Sequence, residues 1–495
     1  MDSIGYADWQ RWHREGCTRL PAALVVSAAS FPSSWTALTD APATVLLESA
    51  QSGRYTYVCD RPARVILGSA TQTQVWSADG KTLLERKPGQ PLEVLRALFA
   101  AIKTPTLGGW PAMAGGMIGV FGYDLVGIWE KLPLTAKRDL PLPLFALIET
   151  GELFIYDHLE RTLRIVVWCD LAADAGDELL SQRFHAAQQA VHDACARWQG
   201  GEKNPHGPDR PSPVDPGRTP PPSFTPEEFK TAVCRAQDYI AAGHTYQVNL
   251  SRRTSRETAL PATVIYQELR RVNPSPYMGL LRLPEFALVC GSPELLVRLV
   301  GGVVSSRPIA GTRPRGEAAK EDANFSAELF ASEKERAEHL MLVDLIRNDI
   351  GRVAEYGSVE VKEFMVLERY SHVMHIVSQV EGRLAAGRTW VEVLQSMFPG
   401  GTITGCPKFR TMEIIEELEP VGRGFYTGAL GWISYGGEME MNIVIRSMLV
   451  QHGIAHVQAG AGIVADSQPE RELDEATRKA QALWVALEAA IKRHG

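Results

Sequence analysis

The sequence predicts an α+β protein. Two observations carry that prediction. Short runs rich in β-branched and aromatic residues crowd the N-terminal part: "ATVLLES", "RYTYVC", "ARVILG", "LFALIET", "ELFIYD" and "LRIVVWC". Later strand-like runs ("ALVCGS", "LLVRLV", "GALGWISY", "MNIVIRSMLV", "AHVQAGAGIV") mix with long helices without regular alternation, which argues against a doubly wound parallel sheet.

The elements follow in order. Helical pieces are expected near 92–103 and 178–198. Residues 200–228, "GGEKNPHGPDRPSPVDPGRTPPPSFTPEE", are too rich in Pro and Gly for a regular element. They divide the chain into an N-terminal region 1–199, a linker 200–224 and a C-terminal region 225–495. Thr225 is the N-cap of the next helix, Pro226 opens it and Glu228 completes a capping box. Phe229, Ala232, Val233, Ala236 and Ile240 then keep helical spacing until Gly243. Residues 326–353 read as one helix with Glu335 and Glu338 three apart on one face. Residues 467–494 read as another, with Ser467 and Glu470 as a capping box. Leu473, Ala476, Ala480, Leu483 and Leu487 form its buried seam, and Glu472, Glu475 and Lys479 run beside that seam.

Composition narrows the function. The 495 residues are 45% apolar and 22% charged, with a net charge of -7, so no basic field favours nucleic acid. No apolar run is long enough for a membrane span. The start, "MDSIGYADWQRWHREGC", has no signal-peptide core, and the seven cysteines are scattered without a CxxC pair. A reduced, cytoplasmic protein is expected.

Three glycine-bearing stretches invite a reading as anion sites. "SSRPIAGTRPRG" (305–316) reads as a turn bringing backbone near a negative group, with inert Ala310 at its centre. "FPGGTITGCPK" (398–408) is a tight turn into a helix, and it lacks the Walker spacing because Cys-Pro separates Gly405 from Lys408. "QAGAGIVADS" (458–467) reads as a strand, the pair Gly460 and Gly462, and a helix start that favours carboxylates. Each is equally readable as a plain turn. The acidic helix faces are readable as solvated surface, the commoner case for such pairs, or as carboxylates shared by one Mg²⁺, which takes a few carboxylates, several waters and an anionic substrate oxygen. His372 and His375 alternate with apolar residues, as core or catalytic histidines do; no ligand cluster supports a zinc reading.

Together, "RPIAGTRPRG", "EKERAEHLMLVDLIRNDIGRV", "ERYSHVMHIVS", "FPGGTITGCPKFRTMEIIEELEP" and "AGAGIVADSQPERELDEATRKA" resemble the chorismate-utilising enzymes, densely over about 225–490. The chain is similar to the large synthase components that make anthranilate or aminodeoxychorismate. The resemblance implies an anthranilate-synthase-like fold, a large sandwich of antiparallel sheets surrounded by helices. It implies Mg²⁺ on Glu338 and Glu475, with Glu335 and Glu472 supporting them. It implies a substrate carboxylate held at Gly460–Gly462 by Lys479, Tyr426 and Arg446, with Glu294 as general acid and His375 beside the ring. Gly311, Thr312, Thr402 and Gly405 would line the pocket. Water-adding members carry a lysine base where this chain has Gln247; a glutamine cannot deprotonate water, whereas neutral ammonia needs no base. "VLLES" and "NPSPYM" resemble a tryptophan pocket, through Glu48, Ser49, Pro274, Tyr277 and Met278, and are also readable as an empty sandwich contact.

The same resemblance bears on the product. Some aminodeoxychorismate synthases carry a nucleophilic lysine where this chain has Ala310; anthranilate synthases and other aminodeoxychorismate synthases have alanine. "FPGGTITG", "DLIRND" and "MEMNIVIRS" lean toward aminodeoxychorismate, the p-aminobenzoate and folate branch, over anthranilate and tryptophan. No glutaminase Cys–His–Glu signature is present, so a separate glutamine amidotransferase subunit is expected to supply ammonia. A catalytically dead, tryptophan-binding scaffold is the alternative of a different class; the full set of Glu294, Glu338, His375, Glu475 and Lys479 argues against it.

Overall fold

A computed structural model describes every residue except 1–3, 28, 32–38, 40, 50–52, 201–218, 316–318, 370–372 and 495. Helix makes up 34% and strand 35% of it, and the strand pairings are antiparallel, as expected of the α+β class. Most of the expected linker and His372 lie outside the described residues.

The spine is one long pair, Tyr55–Gly68 against Phe145–Asp157. The sequence reading split each of these strands in two. Register shifts between Val58 and Arg64 bend the pair around Pro62 and Gly151, and the ladder resumes beyond the bend. Two layers grow from this spine. On one, Thr44–Glu48 pairs with Tyr55–Gly68 and then carries Tyr277–Leu283, Phe286–Ser292, Ser447–Gln451, Ile454–Ile463 and Gln247–Glu257 in succession. On the other, Gly116–Phe121 pairs with Phe145–Asp157 and leads through Ala429–Ser434, Met439–Ile443, Leu295–Val300 and Val303–Ser306 to Val373–Arg383. Each layer joins strands from both sides of the linker, the N-terminal strands next to the spine and the C-terminal ones beyond them, so neither region completes a sheet alone. The layers face each other closely: a Cβ on Gly279 would lie 2.7 Å from Leu430 Cδ2.

The helix at Pro226–Ala241 forms as its sequence predicts, with the Thr225–Glu228 capping box made and Phe229, Ala232, Val233 and Ala236 buried. The expected single helix over 326–353 is instead two, Ala319–Ala331 and Glu333–Gly351. Ser332 leaves helical geometry between them (ψ 104°) and caps the second, its hydroxyl accepting the Glu335 N–H at 3.3 Å. The last helix, Pro469–His494, buries Ala476, Ala480, Leu483 and Leu487. Among the described residues no helix is long and apolar enough to cross a membrane.

Candidate functional site

The stretch read from sequence as a turn around Ala310 is a strand, and the one read as a strand through Gly460 and Gly462 is a strand. Ile309–Pro314 pairs with Val373–Arg383, and a bulge between Ala310 and Thr312 puts Gly311 at φ +63°, which explains the glycine. Ala310 is buried opposite Ile376, so its inert side chain serves packing in the sheet. The bulge turns the Gly311 carbonyl toward His375, whose Nδ1 lies 3.2 Å away. Thr312 pairs with His375 through the backbone; its side chain lies outside the described residues.

Ile454–Ile463 runs straight through Gly460 and Gly462, paired along its whole length with Gln247–Glu257. Alternation gives this pair two unlike faces. Val248, Leu250, Ala461 and Ile463 join an apolar core with residues of three helices, Phe229, Ile414 and Ala476 among them. The other face carries Gln247, Asn249, Ser251, Arg253, Gln458 and His456, polar yet buried. A buried polar face must be hydrogen-bonded. Gln458 Nε2 donates to Ser251 Oγ at 2.8 Å, and Ser251 donates to Glu419 at 2.8 Å. Arg423 pairs with Glu419 at 2.7 Å and donates to the carbonyls of Asn249 and Ile403. Gln247 Nε2 donates to Glu338 Oε1 at 3.3 Å.

The two glycines make room for this face. A Cβ on Gly462 would lie 2.5 Å from Gln247 Nε2, and one on Gly460 would lie 2.4 Å from the Leu250 carbonyl. The first obstacle is a flexible side-chain end and the second is backbone. Gly462→Ala is therefore expected to displace Gln247 and lose activity with little change in melting temperature. Gly460→Ala is expected to destabilise by about 2–3 kcal/mol. Melting curves and turnover on the two variants check the contrast.

The remaining candidates converge on the same place. Glu294 is 8% exposed, and burial pushes its carboxyl up to about 7. Thr402 and Lys479 pull it partly back, although the buried Thr402 hydroxyl makes no bond of good geometry among the described residues. Lys479 Nζ pairs with Glu475 at 2.7 Å and donates to the Gly460 carbonyl at 3.1 Å. Burial lowers the pKa of Arg446, against the opposing influence of Tyr426 and Glu475; its guanidinium donates to the Lys479 carbonyl. Burial lowers the pKa of His375, with the Gly311 carbonyl and Glu368 opposing and Arg446 assisting. Gly405 pairs with Val248 next to Gln247, following the short turn Gly401–Ile403 that carries Thr402.

Glu335 and Glu338 share their helix but have different surroundings. Glu338 meets Gln247, while Glu335 Oε1 accepts from Arg313 at 2.7 Å. Glu335 Oε2 points at Gly311, where a Cβ would approach to 2.4 Å, and is buried with no hydrogen-bond partner among the described residues. Glu472 is half-buried one turn before Glu475. No group of three or more His, Cys, Asp or Glu side chains converges among the described residues.

A cavity of about 570 Å³ opens between the layers, lined by Glu48, Ser49, Tyr277 and Met278, with Trp432 and Asn442 opposite. Its prolines are Pro276 and Pro111, not Pro274. Burial raises the pKa of Glu48, against the Tyr266 hydroxyl that donates to it at 2.6 Å and Arg270.

Asn249, Arg313 and Arg423 escaped the sequence reading. Reading 247–257 as a strand would have put Asn249 beside Gln247; Arg313 lies in the arginine-bearing run 305–316, and Arg423 has Glu419 four residues before it.

The chain matches the family model described as chorismate binding enzyme over residues 43–484. It is 42% identical to aminodeoxychorismate synthase component 1 of Bacillus subtilis, covering 90% of this chain and 91% of that one. It is 43% identical to anthranilate synthase component 1 of Thermus thermophilus, covering 91% and 93%. Among solved structures, anthranilate synthase component I from Streptococcus pneumoniae aligns with a TM-score of 0.72 at 31% identity, covering 87% and 92%.

Proposed function

The chain belongs to the chorismate binding enzyme family, and we propose that it replaces the chorismate C4 hydroxyl with an amino group from ammonia, giving 4-amino-4-deoxychorismate. The observation that carries amination is Gln247. Its amide is committed to Glu338, and an amide cannot take a proton from water. A nucleophile that attacks in its neutral form suits such a site; water does not.

The residues divide the work. Lys479, Arg446 and Tyr426 suit the two carboxylates of chorismate. Glu294, held near half-protonation at neutral pH, suits a general acid. In the overall exchange a C–N bond forms and a C–O bond breaks. The hydroxyl leaves as water with the proton of Glu294, and the added nitrogen gives up one proton, which restores the acid. His375, its pKa lowered by burial, would sit beside the ring and share a hydrogen bond there.

Glu338 and Glu475 would hold Mg²⁺. The fit is chemical: the donors are carboxylate oxygens, each is engaged by the protein through one oxygen, and Glu335 Oε2, on the same helix as Glu338, is a buried orphan. When bound, the ion would neutralise a substrate carboxylate.

Ammonia would come from a separate amidotransferase. Burial raises the thiols of Cys17, Cys59, Cys169, Cys195, Cys290 and Cys406, the opposite of an activated nucleophile.

The choice of product rests on "FPGGTITG", "DLIRND" and "MEMNIVIRS". Buried Ala310 favours the second reading, anthranilate with loss of pyruvate, because the protein supplies no lysine nucleophile there. Chorismate, Mg²⁺ and ammonium at alkaline pH test both. Chorismate should disappear, and p-aminobenzoate should form only when aminodeoxychorismate lyase is added. Anthranilate without lyase would establish the second reading, and unchanged chorismate would sink amination altogether.

A further inference from the structure

We infer that Asn249 orients the attacking ammonia, its side-chain carbonyl accepting one N–H. The inference rests on the amination reading above and adds a residue that binds the nucleophile.

Asn249 shares the polar face of its strand with Gln247, two residues away. It is 9% exposed, and its Oδ1 is buried with no hydrogen-bond partner among the described residues. That oxygen lies over the neighbouring strand, 2.9 Å from where a Cβ of Gly460 would be. The main chain of Asn249 is clamped: its N–H donates to the Thr404 carbonyl at 2.8 Å, and its own carbonyl accepts from Arg423 at 2.6 Å. A clamped backbone fixes where the amide can reach. Its oxygen lies against Gly460, whose carbonyl accepts from Lys479.

A buried carbonyl without a donor is destabilising, so a retained one calls for a ligand that brings a donor. The neighbours do not fill that role. The amide of Gln247 donates to Glu338, and the Ser251 hydroxyl is taken by Glu419 and Gln458. The substrate carboxylates have only lone pairs to offer and would be repelled. Ammonia has three N–H bonds and one lone pair. Directing one N–H at Asn249 turns the lone pair away from the amide and toward the pocket, which is the orientation attack on a ring carbon needs.

Steady-state kinetics test this, with ammonium varied at saturating chorismate, chorismate varied at saturating ammonium, and Mg²⁺ titrated separately. Asn249→Leu removes the acceptor at similar volume. It should raise the ammonium KM about tenfold or more, the loss expected for one buried hydrogen bond, while the chorismate KM and Mg²⁺ requirement stay within twofold. An unchanged ammonium KM would overturn the inference. So would a rise in the chorismate KM or the Mg²⁺ requirement in its place, which would assign Asn249 to substrate or metal-bound water. Asn249→Asp keeps a carbonyl acceptor and guards against misfolding of the leucine variant. Its ammonium KM should stay within threefold of the parent, and a tenfold rise would overturn the inference. A parent chain that consumes no chorismate with ammonium would sink the amination reading itself; a parent that turns over with indifferent variants sinks only the role of Asn249.

Discussion

Glu294→Gln will abolish most turnover and make the protein more stable at pH 8. Both effects come from the same burial. The carboxyl is pushed up to about 7, against 4.5 for the exposed group, because burial penalises its charged form. The folded state therefore binds a proton more tightly than the unfolded state. Its stability contribution is fully present below pH 4.5 and is lost as pH rises through about 7. The difference amounts to about 3 kcal/mol by pH 8. Glutamine has the same shape and never ionises, so the variant avoids that penalty. Denaturant midpoints of parent and variant should coincide near pH 4 and separate by pH 8, with the variant higher. Loss of a general acid removes about 10²–10⁴-fold in rate. For the parent, measured at constant free ammonia, kcat/KM should fall above about pH 7. A variant no more stable than the parent at pH 8 would mean that the carboxyl is not held protonated. A variant with parental turnover would remove Glu294 from the chemistry.

What the sequence revealed of this site, and what it hid, depends on the range over which each signal acts. Capping and periodicity are local, so the Thr225–Glu228 box and the buried seam of the last helix were legible residue by residue. The break at Ser332 was missed because apolar spacing continues across it; the serine reads as an N-cap only once the chain is seen to leave helical geometry there. The strands through Pro62 and Gly151 were read as separate pieces, since a bulged pair and two hairpin arms look alike until the partner strand is known. The glycines were legible as special but not as to kind. Gly311 does mark a positive φ. Gly460 and Gly462 mark instead the close approach of a strand some 200 residues earlier in the chain, its backbone at Gly460 and the Gln247 side chain at Gly462, a contact that no local pattern encodes. The site residues came mostly from resemblance. The structure adds their connections: Glu338 to Gln247, Gln247 over Gly462, Gly460 to Lys479, and Lys479 to Glu475. Arg423 shows the limit. It is buried among groups drawn from three separate segments, and although Glu419 is a neighbour four residues away, nothing in its sequence surroundings points to Ile403 or Asn249.

Glu338→Gln should lower kcat/KM by 10²-fold or more while leaving the fold intact. The substitution isolates charge. Glu338 is half-buried and meets Gln247 through Oε1; a glutamine there still offers a carbonyl oxygen to the Gln247 N–H at 3.3 Å. Packing and hydrogen bonding survive, and only the anionic ligand is lost. Two measurements separate a metal role from a surface role. For the parent, Mg²⁺ with chorismate should raise the melting temperature, because a ligand bound only by the native state stabilises it in proportion to the logarithm of its saturation. In the variant that rise should vanish, whereas melting without Mg²⁺ should match the parent. Glu335→Gln provides the internal comparison. Glu335 is already engaged by Arg313, so part of its charge is neutralised within the protein and its removal should cost less activity than that of Glu338. Equal losses would make the two carboxylates equivalent ligands. A Glu338→Gln variant with parental turnover and an undiminished Mg²⁺-dependent rise would leave Glu338 as an ordinary carboxylate on a helix face, and the ion would have to be sought elsewhere.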